Sequence, residues 1–299
     1  MSIFMQIYDL HQRFRRYCAV EEGLSLQTIQ GLKRSIITLT KRTGIETIGE
    51  LSTSCLREFF YEGKEKHQWS YWHYVNNYKY LKKFLNWCVA NEFIPNNPIF
   101  PIKKPKKPQS LPRRLTYTEA QQILCASFNY DWTYNFERSR NYAIIATFLF
   151  TGVRARELCG LFLADINLSS GVLLIRSGKG MKDRYVPIHH KLSYILKRYL
   201  TERKRLGKQS IYLFTGTSSN KPLSYIAVNR ICRKLSRATG IPFTAHCLRH
   251  TFGSIAIEQQ IGLVQLKEIM GHSNIQSTMI YLSMSPEGLK ESLNRLELY

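Results

Sequence analysis

Three short stretches in the second half of the 299-residue chain bring together side chains able to work on a phosphate. In Ala245-His246-Cys247-Leu248-Arg249-His250-Thr251, His246 and Arg249 stand three apart. On a helix that spacing puts both on one face, where a guanidinium can fork onto the non-bridging oxygens of a phosphate and an imidazole can move a proton. The same spacing also suits the solvated face of a basic helix. In Thr151-Gly152-Val153-Arg154-Ala155-Arg156-Glu157, the two arginines lie about 200° apart around a helix, so only one can point into a site. The third stretch, Gly271-His272-Ser273-Asn274, is followed nine residues after its histidine by Tyr281, one of 18 tyrosines.

Other chemistries fit less well. Gly178-Lys179-Gly180 is not a P-loop, because Leu173 stands where the first glycine belongs and no Ser or Thr follows the lysine. His246 and His250 have helical spacing for zinc, but no Glu follows the first histidine. A carboxylate-metal nuclease lacks an acidic pair on one face. Seven scattered cysteines with no Cys-x-x-Cys pair read as reduced core residues. No metal site and no cofactor are expected.

The elements that must hold these residues are mostly helical. Thr116 and Glu119 form a capping box that opens a helix to about Ser127. A helix from about Glu137 to Thr151 ends at Gly152, and a short one runs from Val153 to Leu161. Val172–Arg176 and Arg184–Ile188 are β-rich runs around a glycine-flexed tip, Ser177–Asp183. Further helices are expected at His190–Leu206, Tyr225–Ala238, Ala245–Gln260, Val264–Met270, near Tyr281 and at Pro286–Leu298. The amino-terminal part reads as four helices: Phe4–Val20, one between Ser25 and Gly44, Thr53–Tyr61, and the aromatic-rich Trp69–Ala90, whose rings should mostly be core. The domains expected are a helical one at 1–98, a linker at 99–115 and a second, mainly helical one at 116–299.

Charge marks the linker. The chain carries +22, of which +4 lies in residues 1–100, +6 in 101–115 and +12 beyond. Four prolines in those fifteen residues forbid a helix, and Lys103, Lys104, Lys106, Lys107, Arg113 and Arg114 meet no acidic residue there. Such a segment suits duplex DNA, each cation displacing a condensed counterion. Lys79, Lys82 and Lys83, among the aromatics of the fourth helix, and Lys182 are further DNA-contact candidates. With 44% apolar residues the chain can build a core, so it is not a disordered basic arm. The longest apolar stretch, Tyr142 to Phe150, falls short of the ~20 residues of a membrane span. The amino terminus carries no secretion signal, which puts the working place at the nucleoid or elsewhere in the cytoplasm.

Taken in order, Thr-Gly-Val-Arg154-Ala-Arg-Glu-Leu, Gly-Lys179-Gly, His246-Cys-Leu-Arg249-His, Met-Gly-His272-Ser and Tyr281 resemble the tyrosine recombinase (phage integrase) family. The likeness covers nearly the whole chain. It implies an α+β architecture, mainly α with a small antiparallel β-sheet: a four-helix, SAM-like core-binding domain and a catalytic domain closing as a C-shaped clamp on DNA.

The resemblance also implies roles. Tyr281 would attack a DNA phosphodiester and hold the strand as a 3′-phosphotyrosyl ester while a 5′-hydroxyl leaves. That ester keeps the bond energy, so rejoining needs no ATP. A phenol with a pKa of about 10 is only ~0.1% ionised at pH 7 and needs a base, for which His246 is the candidate. Arg154 and Arg249 would clamp the phosphate, with His272 donating a further hydrogen bond. Lys179 would protonate the departing oxygen, with Lys182 as the alternative. Glu157 would orient an active-site group, and His250 would be structural or touch phosphate. Gly253 stands where related sequences often carry Ala, a departure expected to weaken its helix without touching the chemistry.

The chain starts at the core-binding helices, like the compact Xer-type recombinases. Its substrate would be double-stranded DNA with a specific recombination site, worked on by a tetramer whose carboxy-terminal helices, Pro286–Leu298, pack onto neighbouring subunits. A second recombinase or an accessory factor could take part. A type IB topoisomerase and a non-catalytic architectural DNA-binding protein are the competing readings.

Overall fold

Ser25 and Gly44 bracket helix α2 (Leu26–Thr43): the serine Oγ accepts from the Thr28 N–H, and Gly44 closes the helix in the left-handed region at φ +70°. Between them Ile29, Leu32, Ile36 and Leu39 are buried, the face that their 3-and-4 spacing predicts. In a computed structural model describing residues 5–108, 112–176 and 183–283, this helix belongs to the first of two units, Met1–Gln109 and Ser110–Tyr299. The chain is mainly α-helical with one small antiparallel sheet.

The first unit packs α1 (Ile7–Val20), α2, α3 (Thr53–Glu65) and α4 (Tyr71–Ala90) around one core. Phe14, Phe59, Phe60, Phe84 and Leu85 are fully buried, and the aromatic rings of α4 are mostly core, while Trp72 is exposed. The proline-rich stretch begins inside this unit. Ile99 and Ile102 are buried, the Tyr74 hydroxyl donates to the Lys103 carbonyl, and Lys104 and Lys107 lie over the rings of Tyr78 and Trp72.

The second unit is built on α6 (Asn135–Thr151), packed between α5 (Tyr117–Asn129), α8 (His190–Arg205) and α10 (Ala245–Glu258). Its burial all round follows from the run Ala143–Phe148, which has no polar face for water. The Thr116–Glu119 capping box opens α5 as expected. Strands β1 (Ile166–Asn167), β2 (Val172–Ile175) and β3 (Arg184–Pro187) form the sheet in that order. Leu173 and Ile175 face inward, and Ile175 pairs with Arg184. The two-residue β1 is too short to show a period in sequence. The short α7 (Ala155–Cys159), α9 (Tyr225–Thr239), α11 (Leu263–Met270) and α12 (Gln276–Ser283) complete the described elements. No helix among the described residues is long and apolar enough to cross a membrane.

Candidate active site

Gly152 sets the first site arginine. It ends α6 at φ +60°, and a Cβ there would lie 2.3 Å from the Phe252 ring, so both the backbone and the space require glycine. Two residues on, Arg154 caps α7 in extended backbone, and the Glu157 carboxylate accepts from its N–H (2.8 Å) and its Nη1 (2.8 Å). Arg156 is exposed on the helix beyond.

The end of α11 gathers three arginines. A helix leaves its last carbonyls without intrahelical partners and with the negative end of the macrodipole. Here the carbonyl of Ile269 accepts from Arg184 Nε (2.7 Å), that of Met270 from Arg249 Nη2 (2.7 Å) and that of Gly271 from Arg154 Nη2 (2.8 Å). Gly271 turns at φ +64°, and a Cβ on it would meet the Arg184 guanidinium at 2.8 Å. Arg249, on α10, is buried and gives its Nη1 to the Gly152 carbonyl at 2.6 Å, which ties the two glycine turns together. Burial lowers its pKa to about 10, with Arg154 adding to the effect.

Glu157 is shared. Arg184 Nη1 and Nη2 reach its two oxygens at 3.1 and 2.7 Å, alongside the bonds from Arg154. Burial favours the neutral acid, but the hydrogen bonds and charge of Arg184 and the bonds from Arg154 outweigh it and hold the pKa at about 2.

Around these cations stand three histidines and a tyrosine. His246 is exposed and its Nε2 lies 3.0 Å from the Nε2 of buried His250, so one ring must donate and the other accept. Burial and then the neighbouring charge lower both pKa values, that of His250 to about 4. His272 Nδ1 shares a 2.8 Å hydrogen bond with the Thr278 hydroxyl, and burial with Arg249 and Arg154 brings its pKa to about 4. Tyr281 is 1% exposed, packed with Ala256, Leu266 and Met270. Its ring centroid is 5.7 Å from that of His250 and 6.3 Å from that of His272, the latter pair within 12° of parallel. Burial raises the phenol pKa, against the pull of Arg249 and Arg154.

Arg154, Glu157, His246, Arg249, His250, His272 and Tyr281 therefore come together from four segments. Lys179 and Lys182 lie outside the described residues, as does Pro286–Leu298. Two contributors escaped the sequence reading: Arg184 and Thr278. Gly253, expected to weaken its helix without touching the chemistry, packs against Tyr281: a Cβ on it would lie 2.6 Å from the Tyr281 Cζ. Of the DNA-contact candidates, Lys79, Lys103, Lys104, Lys106, Lys107 and Arg113 are exposed. Lys82 lies over Phe100, Lys83 pairs with Glu22 at 2.7 Å, and Arg114 pairs with Glu258 at 2.6 Å.

Chemically, the site offers several fixed cations, histidines held neutral near pH 7 and one phenol, a set suited to an anion that gains charge during reaction. Among the described residues no group of three or more His, Cys, Asp or Glu side chains is placed to hold a metal ion.

Residues 113–287 match the phage integrase family. The chain is 33% identical over 199 residues to the tyrosine recombinase XerA of Pyrococcus horikoshii, 66% of each chain, so the match spans about two thirds of that relative. It is 32% identical over 219 residues to the tyrosine recombinase XerC of Thermodesulfovibrio yellowstonii, 71% of each. Among solved structures it resembles XerH site-specific recombinase bound to palindromic difH substrate in a post-cleavage complex, with TM-score 0.75 and 21% identity over 95% of this chain and 84% of that one, a likeness of fold.

Proposed function

The chain belongs to the phage integrase family, and from that premise we propose that it is a site-specific tyrosine recombinase, cutting and rejoining DNA strands without ATP or a metal. The observation that carries this reading is the meeting of Arg154 and Arg249 on adjacent carbonyls at the end of α11, beside His272 and Tyr281.

In this reading a DNA phosphodiester seats its non-bridging oxygens on Arg154 and Arg249, which stabilise the extra charge of the five-coordinate transition state. The Tyr281 oxygen attacks phosphorus and its proton passes to His246. The bond from phosphorus to the 5′-oxygen breaks, that oxygen takes a proton from Lys179, and a 3′-phosphotyrosyl ester remains. A 5′-hydroxyl from the partner strand reverses the step, and exchange of both strand pairs passes through a Holliday junction. For His272 to donate from Nε2 to the phosphate, Thr278 has to be the donor in the bond it shares with Nδ1. Buried and with its pKa raised, Tyr281 has to leave its seat before attack, so movement of α12 belongs to the cycle. Lys103, Lys104, Lys106, Lys107 and Arg113 would grip the duplex backbone together with Lys79, Lys82 and Lys182. Paired sites would be worked by a tetramer joined through Pro286–Leu298, acting on DNA in the cytoplasm.

The test begins with selection of bound sites from a random DNA pool. Two copies of a selected site on one plasmid should give deletion or inversion products. Relaxation of plasmids whether or not they carry that site, with no recombinants, contradicts the reading and favours a topoisomerase.

A further inference from the structure

Arg184 is the arginine of the α11 end to which the proposed reaction gives no part. Its side chain is 9% exposed, against 34% for Arg154, so it is the less accessible of the two to an incoming phosphate. Glu157 lies between them. Its Oε1 accepts from Nη1 of both arginines, and its Oε2 accepts from the Arg154 N–H and from Arg184 Nη2. These four donors fill the acceptor capacity of the carboxylate.

The charges explain why two arginines are needed. Arg154 and Glu157 alone make a neutral pair, which would draw the guanidinium toward its own carboxylate and leave little field for a phosphate. Arg184 supplies the second positive charge in a poorly solvated place, so the trio is net cationic. The bonds to Glu157 and Gly271 use two of the five N–H donors of the Arg154 side chain. The Arg184 Nε bond to the Ile269 carbonyl holds the same guanidinium to the helix end that also carries Arg154 and Arg249.

We infer that Arg184 is a positioning residue for strand cleavage, offsetting the charge of Glu157 so that Arg154 stays turned toward the scissile phosphate. This rests on the proposed recombinase reading, in which Arg154 grips that phosphate.

The experiment uses the full chain and a nicked DNA carrying a selected site, on which a covalent adduct accumulates because the short fragment bearing the freed 5′-hydroxyl diffuses away. Arg184→Met should slow adduct formation at saturating DNA by on the order of a hundredfold, while DNA affinity changes far less. Arg184→Lys, which restores the charge with fewer donors, should fall between the two. The deciding variant is Arg184→Met combined with Glu157→Gln: once the carboxylate is neutral, Arg154 is no longer held back, and the double variant should react faster than Arg184→Met alone. An arginine that merely staples β3 to α11 would give a double variant as slow as the single one or slower, and that result overturns the inference. So does an Arg184→Met protein that reacts at the wild-type rate. Absence of any adduct from the wild-type protein contradicts the recombinase reading itself, before the variants are compared.

Discussion

The ring of Tyr281 occupies the space that a side chain on Gly253 would fill, with the position of a Cβ only 2.6 Å from the tyrosine Cζ. Glycine inside a helix costs about 1 kcal/mol relative to alanine. Here it provides the seat in which the proposed nucleophile is buried. Gly253→Ala would recover that ~1 kcal/mol and meet an overpacking cost of about 1–3 kcal/mol. The clash outweighs the gain, so the variant should melt lower and α12 should exchange its amide hydrogens faster. A higher melting temperature would mean that the ring yields without cost.

Acid should destabilise the protein before it touches the carboxylates. Burial, reinforced by nearby cations, brings His11, His250 and His272 to about 4 from an ordinary value of 6.5. The unfolded chain binds protons at these sites first, so their contribution is intact above about pH 6.5 and is lost as pH falls toward 4, by at most about 3 kcal/mol each. Glu157, held at about 2, adds a loss that starts only below its ordinary value of 4.5. Thermal unfolding at about pH 7.5 and about pH 5 should show the drop, and His250→Asn should reduce it. A melting temperature that is flat across that interval would contradict the assignment.

The two site arginines should fail differently. Arg154 is partly exposed and satisfies one carbonyl, that of Gly271, so its loss should remove about 10²–10³ of the cleavage rate with a smaller loss of stability than at Arg249. Arg249 is buried and satisfies the carbonyls of Gly152 and Met270, each worth about 1–3 kcal/mol when stranded. Arg249→Ala should therefore lose both activity and stability, and Arg156→Ala should keep both. Parallel melting curves and cleavage rates on nicked DNA separate the three.

Much of this site could be read from the residues alone, and the parts that could not have a common cause. Caps and glycine turns are local, so Ser25, Gly44, the Thr116–Glu119 box and Gly152 fall where the chain announces them. Arg184 looks like one more polar residue opening a strand, because its carboxylate partner is 27 positions away and its carbonyl partner 85. Backbone carbonyls carry no letter of their own, so the α11 end is silent in sequence. Arg114 reads as linker charge for the same reason: Glu258, which neutralises it, is 144 residues distant.

That pairing also shapes the salt dependence of DNA binding. Each phosphate contact contributes a slope of about 0.9 in the logarithm of affinity against the logarithm of salt. Replacing Lys103, Lys104, Lys106 and Lys107 together with Gln should lower the slope by up to about 3.6, whereas Arg114→Gln should change it little. Binding titrations over a range of salt measure both, and an equal fall per charge at Arg114 would contradict its engagement with Glu258.

The most direct measurement is covalent capture with Tyr281→Phe. Wild-type protein on a nicked site should yield a protein–DNA adduct joined to the 3′ end of the cut strand, and Tyr281→Phe should bind the same DNA with no adduct. An adduct that persists in Tyr281→Phe would place the nucleophile on another side chain and contradict the account.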